Sequence, residues 1–272
     1  MNTKHTNQIV SAALTAGFLV AACGTASADT LLSDNFNTGS SGTVDSFNGT
    51  AAARQTGSLA GTGYTSKGNW QQLNSDQVSF QSGWLTGRLF INHDFTDAAI
   101  TSSGGFTISY DFIAPASASG STTWLGIMFG QTSSYVNTDN MPQINAPGTD
   151  FGMLLRGNGG YQSFDHGSSI DGATTLNYDA ANQVVLSVLT TSFASGSLAT
   201  VSATVNGTAI DLGAHANITW DADGANYIQF EVYQNNNFRM DNLAIATVVP
   251  EPSTAALAGL GAALLIIRRR KA

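Results

Sequence analysis

The chain is poor in charge and poorer still in the residues that clothe helical surfaces. Only 10% of its 272 residues are charged, and between residues 29 and 249 there is one glutamate, Glu231, and one lysine, Lys67. Exposed helix positions are usually filled by such side chains, so their scarcity argues against helix almost everywhere. Cysteine occurs once, at Cys23, which excludes an intramolecular disulfide framework. Basic side chains are few as well: Arg54, Lys67, Arg88, Arg156 and Arg239 face sixteen aspartates and Glu231 within the same span. That acidic balance excludes nucleic acid as a partner. The longest apolar stretches, Ile9 to Ala22 and Thr254 to Ile267, sit at the two ends and are shorter than the roughly 20 residues of a full membrane span.

Those two ends carry the clearest signals. The amino end has a basic start at Lys4, an apolar stretch and a small-residue site at Ala26-Ser27-Ala28 before Asp29. This is the layout of a secretory signal peptide, residues 1–28, handed to the Sec translocon and removed from the mature chain. Val20-Ala21-Ala22-Cys23 also resembles the lipobox of bacterial lipoproteins, so lipidation at Cys23 stands as an alternative to cleavage after Ala28. At the other end, Pro250-Glu251-Pro252 precedes an uncharged run, and Arg268, Arg269, Arg270 and Lys271 follow it. At 1.5 Å per residue the run covers about 21 Å, and snorkelling arginines extend it toward a single transmembrane helix. The basic cluster stays cytoplasmic and the rest lies outside. This tripartite tail, residues 250–272, resembles the PEP-CTERM sorting signal of Gram-negative bacteria. The resemblance implies recognition by a membrane-embedded exosortase, cleavage near Pro250, and delivery to the envelope or extracellular matrix.

What remains, residues 29–249, is rich in Gly, Ser, Thr and Asn with aromatic and β-branched residues in runs. Alternation predicts strands at Leu31–Phe36, Trp84–Ile91, Phe106–Phe112, Trp124–Phe129, Phe151–Leu155, Tyr161–Phe164, Val184–Phe193, Leu198–Val205, Thr208–Leu212, Tyr227–Tyr233 and Phe238–Thr247. Turn signals at Arg156 to Gly160 and at Asn206-Gly207 join neighbours into hairpins. So many strands with local turns and no helical spacer predict an all-β, antiparallel two-sheet sandwich in one domain. The longest loop, Thr132 to Thr149, is expected at one end or over a sheet face. Ser33-Asp34-Asn35-Phe36 opens the domain, and Arg239-Met240-Asp241-Asn242-Leu243-Ala244-Ile245 closes it. These end motifs are similar to those of concanavalin A-like, laminin G-like jelly rolls, which implies that the first and last strands pair.

Enzyme chemistry is thinly supplied. Retaining glucanases of that superfold carry two glutamates around an aspartate, with the carboxyls about 5 Å apart; here Glu231 has no second glutamate. Tyr227 to Gln234 and Gln143-Ile144-Asn145 resemble strands of jelly-roll alginate lyases, but Asn145 replaces the histidine and Arg88 stands alone. A degenerate lyase is therefore an alternative, and a purely structural surface protein another. The leading expectation is a non-catalytic protein that binds extracellular polysaccharide weakly. Exposed rings and amides would serve it: Trp70 in a polar stretch, Trp84, and Gln234 and Asn236 at a strand end. No cofactor is required. Calcium is the one worth naming, at Asp221, Asp223 and Asn226 on a glycine turn that offers hard oxygen ligands.

Overall fold

The computed structural model describes residues 27–37, 42–43, 51–67, 69–73, 77–81, 86–131, 144–146, 148–221, 225–234 and 237–249. All described strands fall in one compact unit, Asp29–Val248. In chain order the first nine are β1 Thr30–Asp34, β2 Gly42–Thr43, β3 Gln55–Thr56, β4 Tyr64–Lys67, β5 Asn69–Leu73, β6 Gln77–Gln81, β7 Thr86–Asp94, β8 Gly105–Ile113 and β9 Trp124–Gln131. The rest are β10 Phe151–Arg156, β11 Gly160–Asp165, β12 Ser168–Ala173, β13 Asn182–Leu189, β14 Leu198–Val205, β15 Thr208–Ala209, β16 Asn217–Thr219, β17 Tyr227–Tyr233 and β18 Arg239–Thr247. Two short helices, α1 Ala51–Arg54 and α2 Ala98–Ser103, complete the regular structure with two 3-10 turns.

The strands form two antiparallel sheets. The first runs β15-β14-β13-β8-β18-β6-β5-β2, with β1 on β18 and β16 on β14; the second runs β12-β11-β10-β9-β17-β7-β4. The chain is thus an all-β two-sheet jelly-roll sandwich. One hydrophobic core lies between the sheets, where alternate residues of each strand meet. Phe106 of β8 stands edge-on to Phe129 of β9, and Tyr110 of β8 to Phe230 of β17. As expected from its unbroken apolar run, β9 is buried on both faces. Leu125, Ile127 and Phe129 enter the main core, while Trp124 and Met128 join a smaller cluster on the outer side with Ile144, Leu154 and Phe164.

The end motifs do what the resemblance implied, and more. β1 pairs β18 with Asp34 opposite Leu243. Asp34 itself is fully buried, and its oxygens accept from Arg54 Nε at 2.6 Å and Nη2 at 2.9 Å, Gln55 Nε2 at 2.7 Å, Tyr64 Oη at 2.7 Å and its own loop's Phe36 N–H at 2.8 Å. One carboxylate thus ties the first sheet, through β1, to Tyr64 of the second. Burial first, then the negative charge and hydrogen bond of Asp34, hold the Tyr64 phenol well above its ordinary pKa. Asp241-Asn242 sits at a bulge inside β18: the register slips between Asp241 and Ala244, and Asn242 takes φ 48°. The bend lies within the last strand rather than before it.

Several elements were not visible in the sequence. β4, β5 and β6 are short and polar, and Trp70 lies in β5 with 1% exposure, packed 6.0 Å from Phe80. The expectation of an exposed Trp70 is therefore corrected, because β5 pairs β6 in register Trp70–Phe80 and turns the indole inward. Strand β13 ends at Leu189, short of Phe193. Trp84, Asn236 and Asp223 lie outside the described residues, as do Ala26 and the tail from Pro250 onward. Among the described residues no helix is long and apolar enough to cross a membrane.

Candidate functional site

The outer face of the second sheet collects the polar and aromatic side chains with the most chemistry. Glu231 of β17 lies between Arg88 of β7 and Gly126 of β9; the same row continues through Leu154, Gln162 and Asp171. The neighbouring row holds Tyr233, Trp124 and Arg156. Register alone therefore brings residues from six strands onto one surface.

Its centre is closed. Arg88 and Glu231 are both fully buried, with Nε to Oε1 at 2.9 Å. Ile144, within the long loop Thr132 to Thr149, packs on this face in the cluster with Met128 and Leu154 and donates its backbone N–H to Glu231 Oε2 at 2.9 Å. The expected loop over a sheet face is thus in place at Ile144. Two glycines make room for it: a Cβ on Gly126 would meet Ile144 Cδ1 at 2.4 Å, and one on Gly152 would meet the Ile144 carbonyl oxygen at 2.4 Å. Beside the pair, Gln229 is buried and its Nε2 has no hydrogen-bond partner.

In the neighbouring row, and from there toward the β12 edge, the same face is partly exposed. Trp124 and Tyr233 stack with ring centroids 5.7 Å apart and planes 16° apart. Trp124 is 7% exposed and Tyr233 about half-buried. Arg156, beside Trp124, hydrogen-bonds Gln162 Oε1 through Nη2 and lies 3.7 Å from Asp171 Oδ1 through Nη1. The Arg156 side chain is 24% and that of Asp171 65% exposed. Tyr233, backed by the buried Trp124 ring, together with a guanidinium, an amide and a carboxylate, presents an apolar surface and directional donors and acceptors to solvent.

A second cluster sits at the strand ends of the same sheet. His166, in the β11–β12 turn at φ 45°, contacts Asp165 Oδ1 through Nδ1 at 2.6 Å and Asp150 Oδ1 through Nε2 at 3.2 Å. Burial pushes the Asp150 carboxyl up to about 7, against the lowering effects of the Asp221 backbone N–H and of His166. Burial pulls His166 the other way, but the hydrogen bond and charge of Asp165, with Asp150 and Asp221, leave its pKa raised. With a carboxylate at each ring nitrogen, the imidazolium form is the one this geometry favours.

The expected calcium residues fare unevenly. Asp221 does stand beside this cluster, giving its N–H to Asp150. Asn226 is fully buried and its amide is committed within the fold: Oδ1 accepts from Gly130 N–H at 2.9 Å, and Nδ2 donates to the Phe95 carbonyl at 3.3 Å. Asn226 therefore pins the loop ends, and as a ligand it would have to leave those partners. Among the described residues no group of three or more His, Cys, Asp or Glu is arranged to hold a metal ion. Gln234 is exposed at the end of β17, at φ 52°. His215 is buried, accepting from or donating to Ser163 Oγ at 3.0 Å and Ser168 Oγ at 2.9 Å. Because Ser168 Oγ also donates to the Asp165 carbonyl, the hydroxyl proton is used there and Nε2–H must donate to it. That chain of bonds is a structural clamp on the β11–β12 turn.

The comparisons with known proteins are of two kinds, by sequence and by solved structure. Residues 248–271 match the family model of the PEP-CTERM protein-sorting motif. The chain is thus an all-β sandwich bearing a PEP-CTERM sorting motif, which marks it for export to the cell envelope with a C-terminal anchor before processing. No curated protein matches it in sequence. Among solved structures, a protein of unknown function with a galectin-like fold from Bacillus subtilis is similar at 12% identity and a TM-score of 0.43, covering 68% of this chain and 90% of that one. The Emp46p carbohydrate recognition domain is similar at 8% identity and a TM-score of 0.47, covering 67% and 87%. Lectin II from Ulex europaeus is similar at 11% identity and a TM-score of 0.43, covering 68% and 93%.

Proposed function

We propose that this chain is an exosortase-processed surface protein whose sandwich binds extracellular polysaccharide weakly and without catalysis. The observation that carries this reading is the partly exposed group Tyr233, Arg156, Gln162 and Asp171, with Trp124 buried behind Tyr233, on the second sheet's outer face. Tyr233 is held against Trp124, so its orientation costs little entropy when a sugar ring is laid on it. Arg156 and Gln162 can donate to sugar oxygens, and Gln162 and Asp171 can accept from sugar hydroxyls. One stacked ring and two or three amide-strength bonds contribute about 1 kcal/mol each, which after ordering costs gives an affinity of about micromolar to millimolar. Many copies on one surface would make that useful.

Two facts support the non-catalytic half. Glu231 is fully buried in its pair with Arg88 and is bonded to the Ile144 backbone. The next carboxylate along its row, Asp171, lies four strands away, about 19 Å at the usual strand spacing, whereas glycoside hydrolysis uses carboxyls about 5–10 Å apart. The arginine to which the lyase resemblance points, Arg88, is 0% exposed and not placed to neutralise a uronate. The test is affinity electrophoresis and a glycan array on the exported protein, with and without calcium, against Tyr233→Ala and Arg156→Ala. Retardation by at least one polysaccharide that both variants weaken supports the reading; no retardation by any of them overturns it.

A further inference from the structure

The outer face of the first sheet is of a different kind. Across β1, β18, β8, β13 and β14, one row reads Thr30, Ala246, Thr107, Ser187, Ser202, and the next reads Ser33, Ala244, Ser109, Val185, Thr204. Leu189, Thr200 and Asn217 continue it toward β16, with Leu198 opposite Thr219 beyond. Every one of these side chains is partly or fully exposed. None is charged, and the nearest carboxylates, Asp111 opposite Gln183 and Asp241 opposite Asp111, lie in the next row at the margin. Leu189 at 50% and Leu198 at 74% exposure are two of the four large hydrophobic residues that the described fold leaves in solvent.

We infer that this face pairs with the same face of a second copy of the chain. The chain carries a net charge of −8, so two copies repel unless they meet where charge is absent, and this hydroxyl- and leucine-bearing surface is such a place. Short side chains on a sheet let two copies approach to the roughly 10 Å of face-to-face sheet packing. The contact is self-complementary, as a two-fold dimer requires. Among the described residues no aromatic ring stands on this face to stack a sugar, which separates it from the second sheet's outer surface. Its extent is about 24 Å across five strand intervals by about 20 Å along the strands, or roughly 500 Å² per copy. Two such faces bury roughly 1,000 Å², at the lower bound for a specific interface. Pairing is therefore weak in dilute solution and effective where copies are crowded on one surface.

Charge absence at the contact and negative charge elsewhere give the association an unusual sign with salt. Raising the ionic strength from about 0.01 M to about 1 M shortens the screening length from about 30 Å to about 3 Å. That removes the repulsion between copies and leaves the contact itself intact, so dimerisation strengthens. An interface built on ion pairs weakens instead.

The experiment is sedimentation analysis of the exported protein over a concentration series at both ionic strengths. Its variants are Thr200→Glu with Ser202→Glu, Leu198→Ser, and Ser169→Glu on the second sheet as a control of equal charge type. The expected result is a monomer–dimer equilibrium that tightens with salt. The Glu pair should weaken it by about tenfold or more, since like charges then face one another across the contact. Leu198→Ser should weaken it too, and Ser169→Glu should leave it within about twofold. All four positions are exposed, so the variants fold. A monomer at every concentration and salt overturns the inference. So does association that salt weakens, or that Ser169→Glu lowers as much as the face variants do.

Discussion

Replacing Glu231 with glutamine separates a structural carboxylate from a catalytic one. The change is nearly isosteric, yet each oxygen of Glu231 already has a donor: Arg88 Nε at 2.9 Å on one side and Ile144 N–H at 2.9 Å on the other. A glutamine offers one acceptor and one NH2, so whichever way it turns, two donors face each other and one bond is lost. The larger effect is the guanidinium of Arg88, which keeps its burial and loses this countercharge. Removing one partner of a buried pair costs about 3–5 kcal/mol, a large share of the 5–15 kcal/mol that holds a typical domain together. In a domain of this size each kcal/mol moves Tm by about 2–4 °C, so a fall of about 6–20 °C is expected. Differential scanning calorimetry on the exported protein reads it directly. The double variant Arg88→Met with Glu231→Leu should recover most of the loss, because well-packed apolar residues replace a buried pair at little cost. The reasoning is refuted if Glu231→Gln leaves Tm unchanged. Loss of reducing-end release from a β-glucan in that same stable variant would make Glu231 catalytic instead.

Three further outcomes are expected. Asp34→Ala withdraws the acceptor shared by Arg54, Gln55, Tyr64 and the Phe36 N–H, and should cost at least the same 3–5 kcal/mol, seen as loss of the folding transition or of soluble exported protein. Asp150 has a folded pKa of about 7 against an ordinary 3.8; between those values the folded state holds a proton the unfolded chain has released, so stability should fall as pH rises from about 4 to about 7. His166, also raised, adds a fall of the same sign above its unfolded value; Asp150→Asn should flatten the Tm–pH curve in the lower window, and an unchanged slope would contradict the assignment. The exported protein should begin at Asp29 and end near Pro250: an intact mass that includes Thr254 to Ala272 rules out processing of the tail, and a diacylated Cys23 establishes the lipoprotein route.

The sequence shows strands where burial is written into alternation, as in Leu198–Val205 and Tyr227–Tyr233, which match the observed bounds residue for residue. It hides them where polar residues dominate, as in β4 to β6, whose pairing is fixed by neighbours far along the chain. Trp70 failed for that reason: its near neighbours are polar, and only the register with Phe80 turns it inward. The row of Arg156, Gln162 and Asp171 is equally non-local, although part of it was readable. The glycine turn after Arg156 fixes a hairpin in which Leu154 faces Gln162, so Arg156 and Gln162 had to be diagonal neighbours on one face. Glu231 was placed mid-strand correctly, but its meeting with Arg88 depends on β7 and β17 being adjacent, across 143 positions of sequence. Asp34 was visible as part of an end motif, and its five-donor role was not, since that needs α1, β3 and β4 to converge.

The acidity of this chain sits where turns are made. Asp94 ends β7, Asp97 precedes α2, Asp150 precedes β10, Asp165 ends β11 and Asp221 follows β16. Aspartate suits such places because its short side chain accepts from nearby backbone N–H groups, as it does at Asn226 from Asp94 and at Asp221 from Asp150. The result is a sandwich with much of its negative charge at the strand ends, while its two broad faces carry mainly hydroxyls, amides, rings and small apolar groups, with Asp111 and Asp241 on one and Arg156 and Asp171 on the other. Such faces can touch uncharged or hydrogen-bonding surfaces while few carboxylates are desolvated, which burial would make costly. That holds for a polysaccharide on one side and another copy on the other. The two contacts therefore respond differently to salt. Screening strengthens the contact between like-charged copies and leaves a neutral glycan bound as before, so one titration of ionic strength distinguishes them on the same molecule.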